Sequence, residues 1–89
     1  MFNGYDEHEL RRRARATLKA ALIPRDRPEG IWGGNGSGEP CPVCGHSVDA
    51  AEMELEVEFT EGSAQGAREF HLHLPCFAAW EIERKIAAG

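Results

Sequence analysis

The sequence has little with which to build a large core, a membrane span or a disulfide framework. Its 89 residues include only two Trp, one Tyr and four Phe, and a domain of this size buries only about 60% of the surface its unfolded chain exposes. Extra stabilisation from a metal or a partner is therefore expected. No stretch approaches the roughly 18 apolar residues that a membrane span requires. The opening MFNGYDEHEL lacks the basic start and apolar run of a signal peptide, so a cytoplasmic location is expected. Disulfides are disfavoured there, and an odd count of three Cys cannot pair fully within one chain. Three thiolates and one imidazole, by contrast, complete a tetrahedral metal site. No nucleophile, base and oxyanion-stabilising group are recognisable together, so neither an enzyme nor a small-molecule substrate is indicated.

The formal charge of −5 is unevenly spread. Residues 1–28 carry seven Arg/Lys against four Asp/Glu, whereas residues 29–89 carry three against eleven. The basic segment reads as a helix over 7–22. Asp6 followed three residues later by Glu9 suits an N-cap with its reciprocal partner, and Leu10, Ala14, Leu18 and Leu22 recur every fourth residue. The other faces carry Arg11, Arg12, Arg13, Arg15 and Lys19, and Pro24 and Pro28 prevent clean continuation. An isolated helix of this length is marginal in water, so its apolar stripe is expected to dock on the rest of the chain or on a second copy. Opposite charge would allow Arg11 to Arg15 to face the glutamates at 52–58.

The stretch from Pro24 to Pro40 contains IWGGNGSGEP, whose glycine density suggests a loop or linker. Ile31 and Trp32 are its exceptions, expected to pin it to a core. Beyond Cys41 the pattern changes. Met53, Leu55, Val57 and Phe59 alternate with Glu52, Glu54, Glu56 and Glu58, the period of a strand with one buried face and one wet, acidic face. Arg68 to Leu74 alternates likewise, with Phe70, Leu72 and Leu74 opposite Glu69, His71 and His73, and TEGSAQGA between the two runs has the composition of a hairpin loop. Pro75 suits the first turn of a helix, and residues 76–88 place Phe77, Trp80, Ile82 and Ile86 among Ala, Glu, Arg and Lys. Phe77 and Trp80 are expected in the core. The chain thus divides into a basic helical extension (1–28), a Gly-rich linker (29–40) and a metal-binding module (41–89).

Chemistry concentrates in that module. In Cys41-Pro42-Val43-Cys44-Gly45, two intervening residues let both sulfurs reach one ion, and Gly45 can take the positive φ of a tight knuckle. In His73-Leu74-Pro75-Cys76 the strand ends on an imidazole and the helix opens on a thiol. Zinc suits this mixed sulfur and nitrogen set, and a closed set of four protein ligands is normally structural. His71 lies on the same strand face as His73 and is the alternative ligand or an outer-shell partner; the His-x-x-Cys spacing favours His73. A lone Cys-x-x-Cys can also be a redox dithiol, but that chemistry sits in a βαβ context, and here a Gly-rich stretch precedes Cys41. The string Pro40-Cys41-Pro42-Val43-Cys44 matches half of a zinc deaminase signature, whose upstream His-x-Glu is missing: His8 is followed by Leu10.

This arrangement of C-x2-C, the residues 45–72, then H-x2-C followed by Phe77 resembles the poly(ADP-ribose) polymerase-type zinc finger, a sensor of DNA breaks. Phe70, His73, Cys76 and Phe77 stand where that pattern puts them, over residues 41 to about 82. It also looks like small bacterial zinc-finger proteins of uncharacterised function that carry CxxCG and then HxxCxxxW. The resemblance implies a small α+β, treble-clef-like module made of knuckle, hairpin and C-terminal helix. Departing from it, the first hairpin strand presents a row of Glu, which repels phosphate. Protein interaction or self-association through a non-catalytic zinc module is therefore the leading expectation. The alternative is DNA binding through Arg11, Arg12, Arg13, Arg15 and Lys19, which could track phosphates without reading bases.

Overall fold

A computed structural model describes residues 6–59 and 68–88. The expected hairpin loop, TEGSAQGA at 60–67, lies outside them. Among the described residues the fold is α+β, with two helices and a three-stranded antiparallel sheet whose strands lie side by side in chain order.

Helix α1 spans Glu7–Lys19. The Asp6 carboxylate accepts from His8 N–H at 2.9 Å, satisfying one of the free amides at the helix start. Glu9 does not act chiefly as its reciprocal cap, because its carboxylate is held by Arg12 and Arg13 one turn on. The helix ends three residues earlier than its apolar period suggests. Ala21 adopts a left-handed φ of 58°, its N–H donates to Leu18 O, and Leu22 N–H donates to Thr17 O. This pair of bonds is a Schellman stop. It turns the chain so that Ile23 is fully buried while Leu22 is exposed. Leu10, Ala14 and Leu18 are buried as the stripe requires, packed against the C-terminal helix α2, Leu74–Ala88.

The segment read as a linker contains strand β1, Gly30–Asn35, paired antiparallel with β2, Met53–Phe59. Glycine composition concealed it, because pairing with β2 supplies from outside the order that the local sequence lacks. Ile31 and Trp32 do not enter the core; both stay about half exposed. Strand β3, Arg68–His73, pairs with the other edge of β2. One sheet face turns Val57, Phe59 and Leu72 toward helix α2, Leu74–Ala88. There Phe59 meets Phe70 and Trp80 edge to face at 5.8 and 6.2 Å. Trp80 is fully buried and Phe77 packs at the margin of the core. At the far end of the alternating runs, Met53 and Leu74 are exposed.

The opposite sheet face carries Glu54, Glu56 and Glu58 beside Glu69, His71 and His73. It is not uniformly wet. Glu54 is buried, with one carboxylate oxygen accepting from Ser37 N–H at 3.0 Å and from Ser37 Oγ–H at 2.6 Å. One buried cluster runs from Leu10 and Ile23 through Cys41 and Val48 to Trp80, so α1 and the cysteine-bearing segment share a core.

Candidate metal centre

The first half of the site is a knuckle. Gly45 N–H donates to Cys41 O at 2.7 Å and Cys41 N–H to His46 O at 2.9 Å, so the backbone folds tightly around the two thiols. Gly45 takes a φ of 83°, a left-handed conformation in which a side chain would be strained. A bridge between Pro40 and Ser47 closes the neck of the loop. The second half comes from the β3–α2 junction, where His73 ends the strand and Cys76 sits in the first turn of the helix.

The sulfurs of Cys41, Cys44 and Cys76 and a ring nitrogen of His73 all lie within 4.8 Å of one another, and all four residues are buried. The cysteines form no disulfide. The group is a single site of a kind that could hold one metal ion, and its donor chemistry fits zinc. The two nitrogens of His73 have different surroundings. Nδ1 is 3.4 Å from Cys44 Sγ, among the sulfurs, while Nε2 is 3.1 Å from Glu52 Oε1. A proton on Nε2, donated to Glu52, leaves Nδ1 free to ligate. Glu52 is itself positioned, because the same oxygen accepts from Asp49 N–H at 2.9 Å while Glu52 N–H donates to Asp49 O.

In the absence of a cation the cluster gathers its negative charge on one sulfur and keeps protons on the other ligands. The Cys76 thiol donates to the Cys41 sulfur and, against the cost of burial and with help from backbone amides, lowers the Cys41 pKa to about 4. That same hydrogen bond, and then burial, push Cys76 up, while Cys44 is raised chiefly by burial. Burial acts to lower His73, but its hydrogen bond to Cys41, the Cys41 charge and Glu52 outweigh it and raise the pKa. A cation entering the cluster would take over the role these protons play and release them. The Glu52 carboxyl is held below its ordinary range, first by the Asp49 amide.

His71 stands outside this group. Its Nδ1 is 2.9 Å from Glu54 Oε2, and burial, which would lower its pKa, is outweighed by that carboxylate. Arginines read as possible phosphate contacts are engaged within the chain. Arg11 Nε donates to Glu83 at 2.6 Å and Arg15 reaches the same oxygen at 3.3 Å. Arg12 and Arg13 bond Glu9 at 2.6 and 2.8 Å. Lys19 is exposed in the last turn of α1. None of these arginines pairs with the 52–58 glutamates, because the apolar stripe fixes α1 on the α2 side of the sheet.

Two residues escaped the sequence reading. The alternation of residues 52–59 places Glu52 in a solvated acidic row, and only the position of His73 beside it gives it that partner. Glu83 carried a usable signal: it follows Cys76, Ala79 and Trp80 at helical spacing, so a carboxylate occupies the buried face and requires a cation. Comparison with known proteins adds no relative: no family profile matches the chain, and no curated protein or solved structure matches it.

Proposed function

We propose that the chain holds one zinc ion in a structural role at Cys41, Cys44, His73 and Cys76 and acts as a non-catalytic module for protein interaction or self-association. The observation that carries this reading is the buried convergence of three thiols and one imidazole, with the second imidazole nitrogen turned to a carboxylate. Four protein ligands complete a tetrahedral shell and leave no position for a reacting water. The order of knuckle, paired strands and helix supports a treble-clef-type module akin to the poly(ADP-ribose) polymerase-type finger. Exposed Ile31, Trp32 and Met53 give the interaction half of the proposal its footing. The engagement of Arg11, Arg12, Arg13 and Arg15 within the chain weighs against DNA binding through α1.

Elemental analysis of the native chain should give one zinc per molecule. Chelation should abolish the native amide spectrum of the knuckle and of the β3–α2 junction, because structural zinc contributes about 10–16 kcal/mol in small finger peptides. Absence of stoichiometric zinc, or a spectrum indifferent to chelator, overturns the metal assignment. A photoreactive residue in place of exposed Met53 should yield protein adducts or cross-linked dimers. Adducts degraded only by nuclease would replace the interaction reading with the nucleic-acid one.

A further inference from the structure

The sheet face turned away from α2 has an unusual makeup along its β1 margin. Cα pairing places Trp32 opposite Glu56, Gly30 opposite Glu58 and Gly34 opposite Glu54, so Trp32 stands between two glycines on the face that carries the β2 carboxylates. Its indole lies down over Gly30: a Cβ there would collide with Cη2 and Cζ3 of the ring. Glycine at 30 is thus what lets the ring rest against the strand, and the residue remains 54% exposed. Across the sheet, Glu58 faces Glu69 directly. Like charges in that position destabilise a sheet and invite a cation between them. Burial pattern and order make β1 an exposed edge strand, and GIWGGN carries none of the charges or prolines that normally blunt an edge.

We infer that β1 accepts an extended, Lys- or Arg-bearing segment of a partner protein, added along its open edge with a cation seated on Trp32 among Glu56 and Glu58. The inference rests on the interaction reading above and names its partner's chemistry. Edge addition supplies backbone hydrogen bonds, and its period of two puts alternate side chains of the segment on the carboxylate face. A flat indole beside carboxylates is a receptor for ammonium or guanidinium, since the ring face and the acids attract the same charge. The arginines of α1 in a second copy are poor occupants, because Glu83 and Glu9 already hold them within a helix.

The test uses the full zinc-loaded chain and a short synthetic peptide of alternating Lys and Thr, with a Glu and Thr peptide as control. The Lys peptide should shift and protect the amides of Ile31, Gly33 and Asn35 and move the Trp32 indole signal, with the control silent. Trp32→Ala and Gly30→Ala should each weaken binding about tenfold, the loss of one cation–π contact, and Ile86→Ala on α2 should not. Shifts that map away from β1, or equal binding by Trp32→Ala, overturn the proposal. If the peptide leaves β1 untouched while position 53 still captures protein, the proposal falls and the interaction reading stands. If position 53 captures only nucleic acid, both fall.

Discussion

At the residue scale, the division of labour within His73 decides how the metal site is built. One nitrogen faces the sulfurs and the other a carboxylate, an arrangement that fixes both ring orientation and tautomer. His73→Ala should therefore lose metal in native mass spectrometry, whereas His71→Ala should retain one ion and cost only about 1 kcal/mol, the worth of its hydrogen bond to Glu54. The opposite ranking would move the site to His71. Glu52→Gln tests the outer partner. An amide is a weaker acceptor and carries no charge, so zinc affinity in a chelator competition should fall by about 10–100-fold while stoichiometry stays at one. Unchanged affinity would mean that Glu52 merely caps the Asp49 turn.

At the scale of elements, α1 and β1 show the two ways in which local pattern and structure part. The period of Leu10, Ala14 and Leu18 is honoured, but it could not say where the helix stops, because the stop depends on Ala21 entering a conformation that alanine disfavours. Leu22 and Ile23 exchange roles as a result, one exposed and one buried. Ala21→Gly should relieve that strain and raise stability by about 0.5–1 kcal/mol in chemical denaturation, the left-handed cost less the extra freedom of glycine in the unfolded chain. A loss of stability would show that the alanine methyl contributes packing that outweighs its backbone cost. Strand β1 shows the reverse case. Its local sequence favours disorder, and its conformation is imposed by the partner strand, whose own alternation was plain.

At the scale of the whole molecule, the α1–α2 contact is where charge and apolar packing meet. Glu83 is buried in α2 and is met by Arg11 and Arg15 from α1. Burial would raise its pKa, but the Arg11 hydrogen bond and the two guanidinium charges outweigh it and lower the value. Its unfolded value is roughly 4.3, so its contribution is complete above about pH 5 and fades as pH falls through the lowered folded value. Denaturation of wild type and Glu83→Gln should show a gap of about 2 kcal/mol at neutral pH that closes in acid. Both proteins carry the same metal ligands, so acid release of metal largely cancels in the difference. A gap independent of pH would assign the effect to packing rather than charge.

The sequence by itself determined the ligand types, their spacing, the alternation of β2 and β3 and the apolar stripe of α1. Each is a short-range property, written in periods of two or four residues or in the reach of a Cys-x-x-Cys loop. Enclosure of His73 rather than His71, the pairing of Glu52 with that ring, the capture of Arg11 and Arg15 by Glu83 and the existence of β1 were decided only in the tertiary structure. These depend on strand register and on which side of the sheet a helix lands. Register is a relation between segments far apart in the chain, and a shift of one residue would exchange every side chain between the core face and the carboxylate face.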